Sequence, residues 1–375
     1  MVMNKALKYR LYPTKHQATL LQGQLNECRW LYNKLLEERR DSWEQRQERL
    51  SYFKQCKRIT ELKSERPSLK DAYSQVLQNV ADRLDKGFQG FFRRVKAGEK
   101  KPGYPRFKGY DRYDSFTYTQ FGFATKESCL ELTKIGSIKA KLHRPVFGNI
   151  KTCSIIKSAG KWYVCFAVEC TAEPLPESDT AVGIDVGLTT FATLSTGKKI
   201  PNPRFFKIDG KSLVKAQRKL SKLDKGTPER RKTKKIVSRI HERIANRRHD
   251  FIHQEARKLV NQFGIIAVEK LQVKDMMDGN WRSMNRSIGD VAWAQFRQCI
   301  QYKAEEAGRM YIEVDPRGTT QRCSRCQSLV PKDLSVRIHS CPICGLSIDR
   351  DLNASFNILS LGLQALGKIP RSPAL

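Results

Sequence analysis

The first hundred residues combine one short alternating stretch with a long helical pattern. Residues Ala6–Tyr12 alternate apolar and basic positions, the period of a half-buried strand, and Pro13 ends the stretch. Thr14, with Gln17 three residues later, has the spacing of a capping box that begins a helix. The helical pattern continues to about Val95. The apolar face of the first predicted helix comprises Leu20, Leu21, Leu25, Cys28, Leu31, Leu35 and Leu36.

The hydrophobic period changes to two between residues 115 and 169, which predicts a small antiparallel barrel or sandwich. The N-terminal strand is well placed to join this sheet, so the helical block becomes an insertion in a split β domain. Residues Thr171–Thr180 carry two prolines and no apolar period, which is typical of a linker. The predicted strands lie within residues 115–121, 129–133, 137–142, 151–156 and 161–168.

Beyond the linker, strand and helix patterns alternate, as in an α/β domain. Apolar runs predict strands at Ala181–Val186, Thr189–Leu194 and Ile265–Glu269. Between the last two lies a basic helical stretch, Lys211–Phe263, which is broken near Gly226–Pro228. The predicted fold class is therefore multidomain, α/β plus β.

The charge balance indicates a polyanionic partner. The chain has 70 Lys and Arg against 38 Asp and Glu, a net charge of +32, and each phosphate that a cation neutralises adds affinity. A ribosomal or chromatin-like packing protein is an alternative explanation. The chain has no apolar run of about 18 residues, which makes a membrane partner less favoured.

Two basic regions are candidates for nucleic-acid contact. In the first, aromatic side chains alternate with cations in a Gly/Pro-rich segment, which suits phosphate contact and base stacking, although a solvated loop is the alternative. The second lies in the basic helical stretch, where few acids offset the cations. The candidates are Arg93, Arg94, Lys96, Arg106, Lys108, Arg230, Arg231, Lys234, Lys235, Arg247 and Arg248.

Four of the eleven cysteines have metal-ligand spacing. Cys323 and Cys326 form one Cys-x-x-Cys pair, and Cys341 and Cys344 form a second after fourteen intervening residues. This is the spacing of a structural four-thiolate zinc ribbon. The other seven lack such spacing and are interpreted as plain thiols, namely Cys28, Cys56, Cys129, Cys153, Cys165, Cys170 and Cys299.

Three acidic residues are the candidate catalytic groups. Asp185 and Glu269 each close an apolar run, and Asp351 follows the second cysteine pair. A buried carboxylate is costly unless a cation or a hydrogen-bond network compensates it. Carboxylate oxygens favour Mg²⁺ or Mn²⁺, and two such ions can hydrolyse a phosphodiester. The segment around Asp185 also resembles the phosphate loop of actin-like sugar kinases, which do not combine this charge, Glu269 and a zinc ribbon.

Taken together, these motifs resemble the TnpB family, the insertion-sequence-encoded relatives of type V CRISPR effectors. The likeness spans essentially the whole chain. The most specific motifs are Gly-Ile-Asp-Val-Gly at 183–187, the cysteine pairs, and Asp-Arg-Asp-Leu-Asn-Ala at 349–354, in that order. The family pattern matches Asp351, not Asp349, to the last acidic position. Three departures are Gln327 in place of a common glycine, Ser355 in place of an alanine, and Gln254 after His253.

The resemblance implies a domain plan and an activity. It implies an RNA-guided DNA endonuclease in which Asp185, Glu269 and Asp351 hold Mg²⁺ or Mn²⁺ and the four cysteines hold Zn²⁺. The partners would be a guide RNA from the element's end and double-stranded target DNA beside a short motif. The implied domains are a split wedge-like β barrel (1–13 and 103–172), a helical recognition domain (14–102), a RuvC-like nuclease of the RNase H fold (180–316 and 346–368), a zinc ribbon (317–345) and a tail (369–375).

Two other functions stay open at this point. One is a guided DNA-binding protein without cleavage, which the presence of all three acids argues against. The other is a transposase that joins DNA ends with the same acids. The N-terminus lacks the pattern of a secretory signal, so we expect a prokaryotic, cytoplasmic and nucleoid-associated protein.

Overall fold

The computed structural model describes residues 2–110, 112–278, 281–333 and 335–367. Two units make up the chain, Met1–Thr171 and Ala172–Leu375. The predicted tail, 369–375, lies outside the described residues. Within the described ranges, no helix combines the length and the apolar character needed to cross a bilayer.

The first unit is built on a seven-stranded antiparallel sheet. Its strands are β1 (Val2–Tyr12), β2 (Ser115–Tyr118), β3 (Phe123–Lys126), β4 (Cys129–Leu132), β5 (Gly136–Lys141), β6 (Asn149–Ser158) and β7 (Lys161–Thr171), in the order β2-β6-β7-β1-β5-β4-β3. The N-terminal strand pairs with β7 on one side and β5 on the other, which confirms that it joins the later sheet. The Tyr118 hydroxyl at the end of β2 donates to the Thr133 carbonyl beyond β4, 3.1 Å away. The sheet therefore curls into a half-barrel.

Three helices are inserted between β1 and β2, as the hydrophobic pattern predicts. They are α1 (Lys15–Arg46), α2 (Tyr52–Glu65) and α3 (Ser74–Lys96), with a short 3-10 helix at Pro67–Asp71. The capping box is confirmed, because Thr14 and Gln17 each accept a hydrogen bond from the other's backbone N–H. Arg83 of α3 donates to the Ser115 carbonyl and the Thr117 hydroxyl of β2, both at 2.7 Å. Helices and sheet share one apolar core.

The second unit contains a five-stranded sheet with helices packed on it. Its strands are β8 (Ala181–Val186), β9 (Thr190–Leu194), β10 (Lys199–Pro201), β11 (Ile265–Glu269) and β12 (Met310–Val314), in the order β10-β9-β8-β11-β12. Strands β8, β11 and β12 are parallel, whereas β9 is antiparallel to both β8 and β10. The helices are α4 (Phe205–Lys222), α5 (Pro228–Gln262), α6 (Arg282–Val291), α7 (Trp293–Glu306) and α8 (Arg350–Ala365), with a 3-10 helix at Asp275–Met277 and a hairpin of β13 (Ile338–Ser340) and β14 (Ser347–Asp349).

Two glycines bring α8 directly onto the sheet. A Cβ at Gly183 of β8 would lie 2.1 Å from the Ser355 carbonyl oxygen of α8, and one at Gly362 would lie 2.6 Å from the Ala267 Cβ of β11. Because real Cβ contacts are longer than this, only glycine permits this approach. The close packing sets the N-terminal end of α8 beside the strands that carry two of the three candidate acids.

Candidate metal centres and nucleic-acid contacts

Asp185 and Glu269 lie side by side at the carboxyl ends of two adjacent parallel strands. Ile184 of β8 is opposite Val268 of β11, so the next residue of each strand is an acid. Both side chains are buried, with 8% and 7% of their surface exposed. Ligands of open α/β sheets bind at the carboxyl ends of the strands. Both carboxyl groups lie there, so their location indicates a functional site.

Asp351 reaches the same place from α8. It lies in the first turn of this helix and is partly buried. Asp349, two residues earlier, accepts hydrogen bonds from the Asp351 and Leu352 N–H groups at 2.9 and 3.1 Å, and its other oxygen is 2.8 Å from Lys199 Nζ. Asp349 is therefore a helix cap paired with a lysine, a role distinct from that of Asp351.

The three carboxyl groups interact electrostatically. Burial raises the pKa of Asp185 well above its usual value, and the negative charges of Glu269 and Asp351 raise it further, while Arg350 opposes them. Burial also raises the pKa of Glu269, and a hydrogen bond from Thr319 counters part of that effect. Arg350, whose Nε lies 3.4 Å from Asp351 Oδ1, compensates only part of this negative charge, and a divalent cation would supply more.

The donor set fits hard divalent cations, because it offers carboxylate oxygens on two strands and a helix end. The carboxylate oxygens of the three acids are not close enough together to surround a single ion. Within the described parts of the chain, the four cysteines are the one group of three or more His, Cys, Asp or Glu whose ligand atoms lie within 4.8 Å of one another.

The cysteine cluster has the dimensions of a tetrahedral zinc site. Cys323 Sγ lies 3.5 Å from Cys344 Sγ, and Cys326 Sγ lies 3.6 Å from Cys341 Sγ. Four thiolates at about 2.3 Å from zinc would be about 3.8 Å apart. The cluster can therefore bind zinc with all four ligands from the protein.

The two cysteine pairs fold into equivalent turns. The Gln327 N–H donates to the Cys323 carbonyl at 2.9 Å, and the Gly345 N–H donates to the Cys341 carbonyl at 3.0 Å. Both residues adopt a left-handed backbone, with φ of 62° and 72°. Gln327, which departs from the family pattern, thus keeps the turn in a conformation that favours glycine.

The roles of three polar residues around the acidic site are not apparent from the sequence, although one of them, Asn353, lies in the motif at 349–354. Thr319 lies 2.5 Å from a Glu269 oxygen, and the side chains of Asn353 and Asn357 bind the chain between Thr319 and Ser324. All three are buried. The available signal is the spacing of the two asparagines, which are four residues apart on the helix and so share a face.

A second feature that the sequence does not reveal is a pocket of 1120 Å³, here called the basic pocket. Two of its lining residues follow Asp185 closely in the chain. Leu188 and Thr189, just beyond β8, form one wall, and α4 and α6 form the others. Its acid, Asp290, is 2.7 Å from Arg248. The lining cations are Arg204, Lys207, Lys211, Lys215, Arg218 and Arg286.

The predicted nucleic-acid contacts separate into two groups. Four arginines bind the protein itself: Arg94 donates to the Pro102 carbonyl, Arg230 to that of Leu220, Arg247 pairs with Asp209 and Arg248 with Asp290. These side chains have a structural role whether or not they also touch phosphate. Lys108 is half-buried. The exposed candidates are Arg93, Lys96, Arg106, Arg231, Lys234 and Lys235, together with Arg247, which is exposed despite its pairing with Asp209.

Comparison with known proteins gives matches along most of the chain. Residues 163–280 match the profile of OrfB of IS605, described as "Probable transposase", and residues 293–358 match "Cas12f1-like, TNB domain". A Streptomyces pristinaespiralis protein named "Putative RNA-guided DNA endonuclease" is 35% identical over 372 residues, which cover 97% of this chain and 90% of the relative. The chain belongs to the TnpB family.

Further comparisons agree with membership of the TnpB family. InsQ of Escherichia coli K12, which has the same descriptive name, is 30% identical over 376 residues, covering 96% of this chain and 92% of InsQ. Residues 1–48 match a profile described as "Helix-turn-helix domain", although in this TnpB they form the single strand β1 and the single helix α1.

A solved structure of CasPhi-2 (Cas12j) bound to crRNA also aligns with this TnpB. It covers 100% of this chain and 99% of CasPhi-2, with 9% identity and a TM-score of 0.48. This score is too low to assign a fold.

Proposed function

We propose that this TnpB is an RNA-guided DNA endonuclease of a transposable element, which cleaves DNA beside a short motif by metal-dependent hydrolysis of a phosphodiester. The observation that carries the proposal is the convergence of Asp185, Glu269 and Asp351 at one end of a sheet. Relatives that match over most of their length carry the endonuclease name quoted above, which supports the same activity.

The strand order supports a RuvC-like nuclease of the RNase H fold. Three antiparallel strands followed by two parallel ones place the first and fourth strands side by side at the centre, and both carry an acid. The location of α8 across them adds the third. We assign the nuclease to 180–316 and 346–368, the zinc ribbon to 317–345, the split wedge-like barrel to 1–13 and 103–172, and the recognition helices to 14–102.

In this proposal, Asp185, Glu269 and Asp351 hold Mg²⁺ or Mn²⁺. Bound there, two such ions would activate a water molecule and stabilise the leaving oxygen of the phosphodiester. Asp185 is the residue most dependent on added positive charge, because burial and two neighbouring carboxylates oppose its ionisation. Zinc in the cysteine cluster is structural, since the four thiolates leave no open position for substrate.

The positive charge of the protein suits two nucleic acids. Base pairing with a guide RNA would supply sequence specificity, while the protein binds backbones. Leu188, in the wall of the basic pocket, is three residues from Asp185, or at most about 11 Å between Cα atoms. A strand whose phosphates contact the pocket would therefore pass close to the acids. A protein with this activity works at the DNA, so we place it at the prokaryotic nucleoid.

The second candidate function is DNA strand transfer, because the profile over residues 163–280 is described as a transposase. An acidic metal site could join ends as well as hydrolyse them. The two functions predict different products. Hydrolysis yields two free ends, whereas strand transfer yields a joined molecule.

Co-purified RNA tests the proposal. The chain is expressed with its native flanking DNA and purified at high salt, and RNA that resists nuclease digestion is sequenced. We expect discrete RNA ending in a variable segment. When that segment is replaced by a chosen guide, the complex should cleave matching DNA in the presence of Mg²⁺ and spare a mismatched control.

Two outcomes would contradict the proposal. Random cellular RNA without a defined end would indicate that the basic surface binds nonspecifically. Joined DNA in place of cleaved ends would favour strand transfer.

A further inference from the structure

The hydroxyl of Thr319 is aimed at an acidic residue of the proposed metal site. Thr319 Oγ1 lies 2.5 Å from Glu269 Oε1 and 3.0 Å from the Pro316 carbonyl. A hydroxyl has one proton to donate, and the bond to an ionised carboxylate is the stronger of the two. Thr319 is 2% exposed and Glu269 is 7% exposed, so solvent does not compete. The hydroxyl thus orients one oxygen of Glu269.

The chain around Thr319 is itself held by α8. Asn357 Nδ2 donates to the carbonyls of Thr319 and Arg322, both at 2.8 Å. Asn353 donates to the same Arg322 carbonyl at 2.7 Å and accepts from the Ser324 N–H at 2.9 Å. Both asparagines are buried: Asn353 is 0% exposed and Asn357 is 3% exposed. We call Thr319–Ser324 the lead segment, because it runs into the first zinc ligand pair.

The lead segment joins the two metal centres. At one end its Thr319 contacts Glu269, and at the other it contains Cys323, a predicted zinc ligand. Between them it is bonded to α8, the helix that carries Asp351. A shift of this segment would move the hydroxyl away from Glu269 and would also disturb the hydrogen bonds that hold α8.

We propose that Thr319 is a positioning residue for the acidic site, and that the folded zinc ribbon orders the lead segment so that this hydroxyl fixes the carboxylate of Glu269 for metal binding. The inference rests on the proposed function. Outer-shell partners of metal ligands typically change metal affinity or activity by about 10- to 100-fold when removed. Thr319 is an outer-shell group of this kind, since it bonds to a ligand and not to the metal.

The test measures Mn²⁺ binding to the zinc-loaded full-length chain, freed of nucleic acid, by electron paramagnetic resonance of unbound Mn²⁺. Thr319→Val keeps the shape but loses the hydroxyl, and we expect a dissociation constant about 10- to 100-fold higher. Thr319→Ser keeps the hydroxyl and should stay within about threefold of the parent protein. Thr320→Val is the matched control, because it removes the neighbouring hydroxyl, and it should leave Mn²⁺ binding unchanged.

Zinc content separates positioning from folding of the ribbon. It should match the parent protein in all three variants, whereas it would fall if Thr319 were needed to fold the ribbon. If Thr319→Val loses zinc, Thr319→Ala is used in its place, because it needs no more room than threonine. Normal Mn²⁺ affinity in the zinc-loaded variant that lacks the hydroxyl would overturn the inference.

Asp185→Asn distinguishes the failure of this inference from the failure of the proposed function. If Asp185→Asn loses Mn²⁺ binding while Thr319→Val keeps it, the acidic site stands and the role of Thr319 is wrong. If Asp185→Asn binds Mn²⁺ like the parent protein, the acidic trio is not the metal site, and both proposals fail.

Discussion

At the residue scale, Gln327 is one of six non-glycine residues in the described part of the chain whose backbone is left-handed. A non-glycine residue in the left-handed region costs roughly 1 to 2 kcal/mol of backbone strain. Glycine avoids this strain but loses more chain entropy on folding, which offsets part of the difference. The side-chain contacts of Gln327, at 3.4 and 3.5 Å, are too long to offset much of this. Gly345 has the equivalent position without the strain.

Gln327→Gly should therefore strengthen zinc binding. A net gain of about 0.5 to 1 kcal/mol corresponds to roughly two- to fivefold in affinity. Competition with a chromogenic zinc chelator measures it. The matched variant, Gly345→Gln, should weaken zinc binding by a similar factor. Weaker binding by Gln327→Gly would mean that the glutamine side chain stabilises the turn after all.

The negative charge of Asp185 is costly in the metal-free fold, because the carboxyl group is buried beside two other acids. Its pKa is raised, so the folded state binds more protons than the unfolded state once pH exceeds the usual carboxyl value. Stability must then fall as pH rises through that window. Asp185→Asn should raise the melting temperature of the zinc-loaded protein at pH 8 in buffer free of other divalent ions. The gain should shrink as pH falls towards 5.

Asp349→Asn is the control for this prediction. It keeps a capping oxygen for α8 but removes the negative charge that lies 2.8 Å from Lys199, so it should leave the melting temperature unchanged or slightly lower. Equal melting temperatures for Asp185→Asn and the parent protein at pH 8 would show that the Asp185 carboxyl is compensated in some other way.

At the element scale, the sequence predicts buried elements better than exposed ones. Strands β8 and β11 are confirmed at the predicted bounds, because continuous apolar runs end sharply at an acid. Strand β3 was missed, since Phe123–Lys126 is a mostly exposed edge strand without an apolar alternation. The break in the basic helical stretch is confirmed between α4 and α5, where Thr227 caps α5 and Pro228 begins it.

The packing of α8 on the sheet is a property that no periodicity reveals. It depends on Gly183, whose missing side chain leaves room for the helix backbone. Gly183→Ala would place a Cβ against backbone atoms that cannot rotate away, and such overpacking typically costs about 1 to 3 kcal/mol. We expect this loss in urea unfolding, together with weaker cleavage, because α8 carries Asp351.

Gly289→Ala is the matched control, since among the described residues nothing outside its own helix lies within 4 Å of a Cβ added there. It should leave stability the same or raise it by up to about 1 kcal/mol, as expected for alanine in a helix. If the two variants were equally stable and equally active, Gly183 would not be what positions α8.

At the scale of the whole molecule, the sequence predicts candidate site residues but not the groups that support them. Three distant acids and four spaced cysteines can be recognised because their chemistry constrains their order and type. The supporting roles of Thr319, Asn353 and Asn357 cannot be recognised in this way, because common polar residues acquire such a role only when folding brings them beside an acid or a backbone carbonyl. The same holds for the basic pocket, whose cations come from two helices separated by about sixty residues of chain.

The high net charge also explains why single basic residues are poor predictions. Among 70 cations, Arg247 and Arg248 differ from exposed neighbours only through Asp209 and Asp290, which are distant in sequence and reach them in the folded protein. The surface as a whole is what attracts a polyanion, and removal of one cation changes it little.

The most direct measurement compares DNA cleavage and DNA binding by Asp185→Ala in complex with its co-purified RNA. The substitution removes a proposed metal ligand and leaves the basic surface unchanged. We predict that Mg²⁺-dependent cleavage of guide-matched DNA is abolished while binding stays within a few-fold of the parent complex. Undiminished cleavage, or loss of binding together with cleavage, would contradict the assignment of Asp185 to the catalytic site.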